Sequence, residues 1–246
     1  MKPERISYTM GMYDMMPTLG NMFGFGETRT ARELTEDLGK SVRSLETINE
    51  SDHTYTKEEL VEIIKAEVEE KGWNCNLNHI DVSRITDMSH LFSGSDFYNY
   101  SLGMFNGNIS KWDVSNVNNM AHMFCKTKSF NQSISNWDVS NVNNMHCMFE
   151  GAESFNQPIG DWDVSSVKDM TRMFACAKLF NQPIGNWDVS NVTNMGGMFT
   201  DAYSFNQPIG GWNVSNVKDM GFMFSHAYSF NQPIGGWNVS KVKDMR

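Results

Sequence analysis

Apolar residues recur along most of this chain at a fixed interval. Trp112, Trp137, Trp162, Trp187, Trp212 and Trp237 stand 25 residues apart, so six of the seven tryptophans share one column. An Ile column precedes Trp by three positions, from Ile134 to Ile234. Val columns follow it by two (Val114 to Val239) and by five (Val117 to Val242). A Met column follows by eight, from Met120 to Met245, and paired Met-Phe steps such as Met123-Phe124 and Met198-Phe199 come next. A further Phe column runs through Phe130, Phe155, Phe180, Phe205 and Phe230. Internal periods of this length mark repeat architectures, in which a unit that cannot bury its own apolar face stacks on its neighbours.

The spacing within one unit predicts its local structure. Ile-x-x-Trp-x-Val ends in alternation, which predicts a short half-buried strand. Val-x-x-Met-x-x-Met-Phe spaces apolar residues by three and four, which predicts a helical or 3₁₀ turn with one buried stripe. Asn144, Asp169, Asn194 and Asp219, just before the Met column, suit a turn or helix start. The Asn-Gln-Pro step then ends the helical turn and returns the chain. A degenerate earlier copy, Ile80 to Phe92, carries a seven-residue insertion before Trp112 that falls in SGSDFYNYSLGM. The fold expected is an α/β repeat, a right-handed solenoid with a parallel sheet and about six and a half 25-residue repeats over residues 80–246.

Charge divides the chain. Residues 27–71 hold 20 of its 49 charged residues, and the longer stretch 72–246 only 25. Thr56-Lys-Glu-Glu59 matches a capping box, and Leu60, Val61, Ile63, Ile64 and Val68 follow at helical spacing. Residues 56–71 therefore read as an amphipathic helix that caps the first repeat, with 56–79 as the entry to the solenoid. Residues 1–55 form a separate segment, poor in order over the Met- and Gly-rich residues 1–26 and helical over 29–48. No matching cap follows Trp237, which predicts an exposed sheet edge open to end-to-end self-association.

The repeated phrase Phe-Asn-Gln-Pro-Ile-x-x-Trp-Asp-Val-Ser-Asn-Val-x-Asn-Met-x-x-Met-Phe resembles the BspA-like bacterial surface protein repeat, also described as DUF285. The segment LNHIDVSRITDMSHLF resembles that family's usual first copy, and the likeness covers roughly residues 56–246. The resemblance implies a curved, leucine-rich-repeat-like solenoid used in adhesion or protein–protein interaction, with Ile-x-x-Trp-x-Val in place of Leu-x-x-Leu-x-Leu. Many members are secreted or wall-anchored. The sequence here shows no signal peptide, lipobox or sorting tail, which on sequence alone points to an intracellular location.

The net charge of −9 argues against nucleic acid or an anionic membrane as a general electrostatic partner. No apolar run is long enough to span a bilayer. Cys75, Cys125, Cys147 and Cys176 form no CxxC and read as buried free thiols, with no metal or cofactor expected. His122, His146 and His226 occupy three different columns with no evident shared Cys or Asp partner. No nucleophile elbow, phosphate loop or HExxH stands out, so no enzyme is expected.

Strand alternation sends three residues per repeat outward beside Trp and Val. The partner-binding candidates are Asn136, Asp138 and Ser140, then Asp161, Asp163 and Ser165, then Asn186, Asp188 and Ser190. Asp side chains stacked at strand spacing repel unless Asn, Ser, water or a cation relieves them, and a flat ladder lacks the convergent oxygens of a calcium site. Phe97, Tyr98 and Tyr100 lie outside the repeat, so packing does not dictate them, and aromatics favour interfaces. The Asn column from Asn131 to Asn231 reads as a structural amide ladder, and the Met-Phe columns as core. The function expected is a non-catalytic module that binds a protein or glycan through the polar sheet face. The alternative is a spacer whose function resides in residues 1–55.

Overall fold

A computed structural model describes residues 55–94 and 102–246, which lie in the second of two units, Thr54–Arg246. The expected helix over 29–48, the disorder expected over 1–26 and the candidates Phe97, Tyr98 and Tyr100 fall outside the described residues.

The helix α1 spans Lys57–Lys71. Thr56 Oγ1 accepts the Glu59 N–H at 3.2 Å and Glu59 Oε2 accepts the Thr56 N–H at 2.8 Å, so the expected capping box is formed. Glu58 and Glu59 occupy the first turn and Lys71 the last, each complementing the nearer end of the helix dipole. Gly72 ends the helix at φ 81, where its N–H still reaches the Val68 carbonyl at 2.8 Å. Leu60, Ile64 and Val68 are buried in the same apolar cluster as the repeats. Lys57 Nζ adds a 2.6 Å bond to Ser89 Oγ of the first repeat.

Successive repeats stack in register, but the backbone pairing lies elsewhere than the alternation suggests. Parallel bridges join Asn119 to Asn144, Asn144 to Asp169, Asp169 to Asn194 and Asn194 to Asp219, all in the column before Met. From there alternate amides reach the next repeat. The N–H groups of Met170, Arg172, Phe174 and Cys176 donate to the carbonyls of Asn194, Gly196, Met198 and Thr200 at 2.7–3.0 Å. The amides between them turn back: Met173, Ala175 and Ala177 donate to Met170, Arg172 and Phe174 at 3.0–3.1 Å. The stretch expected to be helical is therefore a chain of three-residue-return turns whose free amides build a parallel ladder. Two positions per repeat take positive φ, such as Arg172 at 54° and Cys176 at 57°. This is the third-residue signature of a type II turn, and it interrupts any helix.

The Trp-x-Val segment, expected as the strand, contains turns instead. Trp162 N–H donates to the Ile159 carbonyl at 3.2 Å and Val167 N–H to the Val164 carbonyl at 2.9 Å. Between them Asp163 Oδ1 accepts the Ser165 N–H at 3.0 Å. That local side-chain bond offers the backbone an alternative to a ladder. The apolar columns remain buried all the same: Ile, Trp, both Val, both Met and both Phe columns form one core from Leu60 to Met223. Phenylalanines stack along it, with Phe149 and Phe174 at 5.7 Å and Phe174 and Phe180 at 3.9 Å between ring centres. Around Trp237 the same columns are only half-buried, and Met245 is 62% exposed. No helix among the described residues is long and apolar enough to cross a membrane.

Candidate functional site

The polar positions of the Trp-Asp-Val-Ser turns are partly architecture. Asn136, Asp138, Asp161, Asp163, Asn186 and Asp188 are exposed, and Ser140, Ser165 and Ser190 half-buried. Asp138, Asp163 and Asp188 each accept the N–H of the Ser two residues on at 3.0 Å. Hydrogen bonds from the Ser side chain and backbone hold these three carboxyls below the usual carboxylate range. At Asp138 and Asp188 the nearby Asp163 charge pushes weakly the other way. Each Asp thus closes its own turn, and the mutual repulsion that would have called for a cation is a minor influence. The structure brings these residues into rows one repeat apart, but the rows lie on turns and on no sheet face.

Two further polar columns are structural. Asn156 Oδ1 accepts the Asn181 N–H at 2.9 Å and Gln182 Nε2 at 3.0 Å, and Asn181 and Asn206 repeat this on the next units. The amide ladder expected from the sequence therefore carries backbone donors at the corner. Each Trp also donates across repeats: Trp162 Nε1 to the Ile134 carbonyl at 3.2 Å, Trp187 Nε1 to the Ile159 carbonyl at 3.1 Å. The indole is both core and staple.

Several of the columns that differ from repeat to repeat lie along the ladder. The column between the paired methionines holds His90, His122, Cys147, Arg172, Gly197 and Phe222, all at positive φ. The next left-handed column holds Lys126, Gly151, Cys176, Asp201 and His226. Two positions further on, Lys128 and Lys178 flank Glu153 at 3.6 and 2.8 Å, and Tyr203 stacks on Tyr228 at 5.6 Å. Phe222 and Tyr228 are 55% and 78% exposed. Gly196, Gly197 and Gly221 leave a shallow depression of about 360 Å³ bordered by Thr171, Arg172, Asp219 and Phe222.

Histidines and thiols that look scattered in the sequence meet on this face. His90 and His122 stack at 4.5 Å, and His146 meets His122 edge-on at 4.9 Å. Cys147 Sγ lies 3.3 Å from His146 Nε2. The ligand atoms of His122, His146 and Cys147 all lie within 4.8 Å of one another, as do those of His122, Cys125 and Glu150. Burial, with His90 and His146 alongside, lowers the His122 pKa to about 4. Burial pushes the Cys125 thiol up to about 11, and burial and Glu150 push Cys147 up as well. Burial also raises the Glu150 carboxyl, but hydrogen bonds from Arg172 and Cys147 outweigh it and hold the group below its usual range. Arg172 contributes Nη2 at 2.6 Å and Nε at 3.1 Å. His226 has an Asp partner too, with Nδ1 3.0 Å from Asp201 Oδ1.

The expectation that these histidines share no Cys or Asp partner is thus corrected for His122 and His146, which meet at Cys147, while His226 pairs with Asp201 on its own. The signal lay in column position: His122 and Cys147 stand ten residues after their own Trp, and stacking makes equal columns neighbours. Cys75, Cys125 and Cys147 are buried free thiols as read from the sequence, while Cys176 is half-buried.

No curated protein and no solved structure matches this chain. The model of the family described as "Mycoplasma protein of unknown function, DUF285" matches residues 59–178 and residues 158–246. Those stretches include every stacked repeat and nearly all of α1, and the chain belongs to the DUF285 family.

Proposed function

We propose that the chain is a non-catalytic interaction module, a leucine-rich-repeat-like right-handed solenoid that binds a protein or glycan partner through the face beside the ladder. One observation carries this reading. Most columns of the repeat are uniform or nearly so and have an architectural role in burial, turn closure or cross-repeat bonding. The columns from His90 to Phe222, from Lys126 to His226 and from Lys128 to Tyr228 are uniform in neither size nor charge. Packing does not dictate side chains that vary while the backbone stays constant. Exposed Phe222 and half-buried Arg172 border the open depression, exposed Tyr203 and Tyr228 stack in a neighbouring column, and Tyr, Phe and Arg are the residue types enriched at interfaces. The exposed Asp rows offer a second surface, at Asp138, Asp163 and Asp188, set apart by its uniformity.

Capture of partners from extract and from a glycan array by the full chain tests the reading. Phe222→Ala with Tyr228→Ala abolishes capture, and charge reversal at Asp138, Asp163 and Asp188 leaves it intact. The opposite result moves binding to the Asp rows. Capture that survives both sets and is lost only on deletion of residues 1–55 overturns the assignment to the repeats.

A further inference from the structure

We propose that His122, His146 and Cys147 form a binding site for a transition-metal ion of the zinc class, three-coordinated by protein and open at its fourth position. Two imidazoles and a thiolate are borderline-to-soft donors, the set that favours zinc, cobalt and copper over magnesium or calcium. The three ligand atoms come from two adjacent repeats and lie within 4.8 Å of one another. Around a tetrahedral ion with S at ~2.3 Å and N at ~2.0 Å, donor atoms sit about 3.5 Å apart. The 3.3 Å between Cys147 Sγ and His146 Nε2 already meets that spacing. His122 and His146 are half-buried, so rotation about their side-chain bonds can close the remaining distance.

The surroundings select this triad over its neighbour. His122, Cys125 and Glu150 also cluster, but Arg172 holds Glu150 through two nitrogens at 2.6 and 3.1 Å. His146 turns its Nδ1 towards Asp169 Oδ1 at 3.9 Å, which leaves Nε2 facing Cys147. A carboxylate behind a ligating imidazole is the usual outer-shell arrangement of a zinc site. On binding, the Cys147 S–H bond breaks, its electron pair forms the sulfur–metal bond and the proton leaves to solvent. No electron is transferred.

The test is a Co²⁺ titration of the full chain after treatment with chelator, followed by displacement with Zn²⁺. The expected result is one Co²⁺ per chain, with tetrahedral visible bands and a sulfur-to-cobalt charge-transfer band that Zn²⁺ removes. Cys147→Ser removes the charge-transfer band, and His122→Gln and His146→Gln each weaken binding at least tenfold. Cys176→Ser and His226→Gln change neither. Should Cys147→Ser fail to fold by circular dichroism, His146→Gln at its half-exposed position decides the matter alone. No charge-transfer band in the unaltered chain overturns the proposal, as does a band that survives Cys147→Ser or an affinity unchanged in both His variants.

Discussion

Replacing Trp162 by Phe separates the two roles of the tryptophan column. Trp162 is 4% exposed, and its Nε1 donates to the Ile134 carbonyl of the preceding repeat at 3.2 Å. Phenylalanine keeps one aromatic ring and loses the donor. The Ile134 carbonyl keeps its bond from the Trp137 N–H at 3.2 Å, so the loss is one net hydrogen bond, ~0.5–1.5 kcal/mol. Roughly 40 Å² of apolar surface lost from the core, at ~25 cal/mol per Å², adds about 1 kcal/mol. The expected destabilisation is therefore about 1.5–2.5 kcal/mol. Trp237 makes the same bond, to Ile209 at 3.2 Å, but is only half-buried, so water can replace the lost donor. Trp237→Phe should cost no more than about 1.5 kcal/mol by the same reckoning. The assay is urea denaturation of the full chain followed by far-ultraviolet circular dichroism, with a second probe to check that one cooperative transition is measured. A cost for Trp162→Phe within about 0.5 kcal/mol of zero, the range of an ordinary surface substitution, refutes the staple. So does an equal cost at both positions.

Three other perturbations test separate columns by the same denaturation or by titration. Asn181→Ala removes the acceptor of Asn206 N–H and Gln207 Nε2 and should cost about 1–3 kcal/mol. Asn231→Ala should stay within about 0.5 kcal/mol, because its bond to Asn206 uses the backbone N–H that alanine retains. Lys126 and Gly151 hold one left-handed turn position in consecutive repeats, at φ 59° and 69°. Gly151→Ala should cost ~1–2 kcal/mol and Lys126→Gly should stabilise by roughly 0.5–1 kcal/mol, and equal signs contradict the turn assignment. Asp163 should titrate below the usual aspartate range by carbon-detected NMR, and Ser165→Ala should move it up. Because the folded pKa is depressed, its contribution to stability is present above the unfolded pKa and is lost as pH falls through the folded one. An Asp163 midpoint unaffected by Ser165→Ala rules out the Ser165 hydroxyl as its cause and leaves only the backbone turn bond, which alanine retains.

Much of the architecture was legible in the sequence because uniform columns record packing directly. Ile159, Trp162, Val164, Val167, Met170, Met173, Phe174 and Phe180 read as core and are buried. Thr56 and Glu59 read as a capping box because both halves of that motif are side chains. The direction of the backbone bonds was not legible. Apolar spacing of three and four fits a helix and a chain of return turns equally well. The positive φ that separates them falls on His122, Arg172 and Phe222, which give none of the signal that glycine would. Asp163 and Ser165 alternate with Trp162 and Val164 as in a strand, yet a carboxylate two residues before a free N–H closes a turn. The cluster of His122, His146 and Cys147 was hidden for a different reason: His122 is distant in sequence from the adjacent pair His146 and Cys147, and the three meet only when repeats are stacked.

Amide hydrogen exchange, resolved residue by residue by NMR on the full chain, tests the ladder most directly. The account predicts slow exchange at Met145, Cys147, Phe149 and Gly151, whose N–H groups donate to Asp169, Thr171, Met173 and Ala175 of the next repeat at 2.7–3.0 Å. It predicts fast exchange at the exposed Asn136, Asp138 and Asn141 of the Trp-Asp-Val-Ser turns. Protection concentrated on Asn136, Asp138 and Asn141, with fast exchange from Met145 to Gly151, would contradict it.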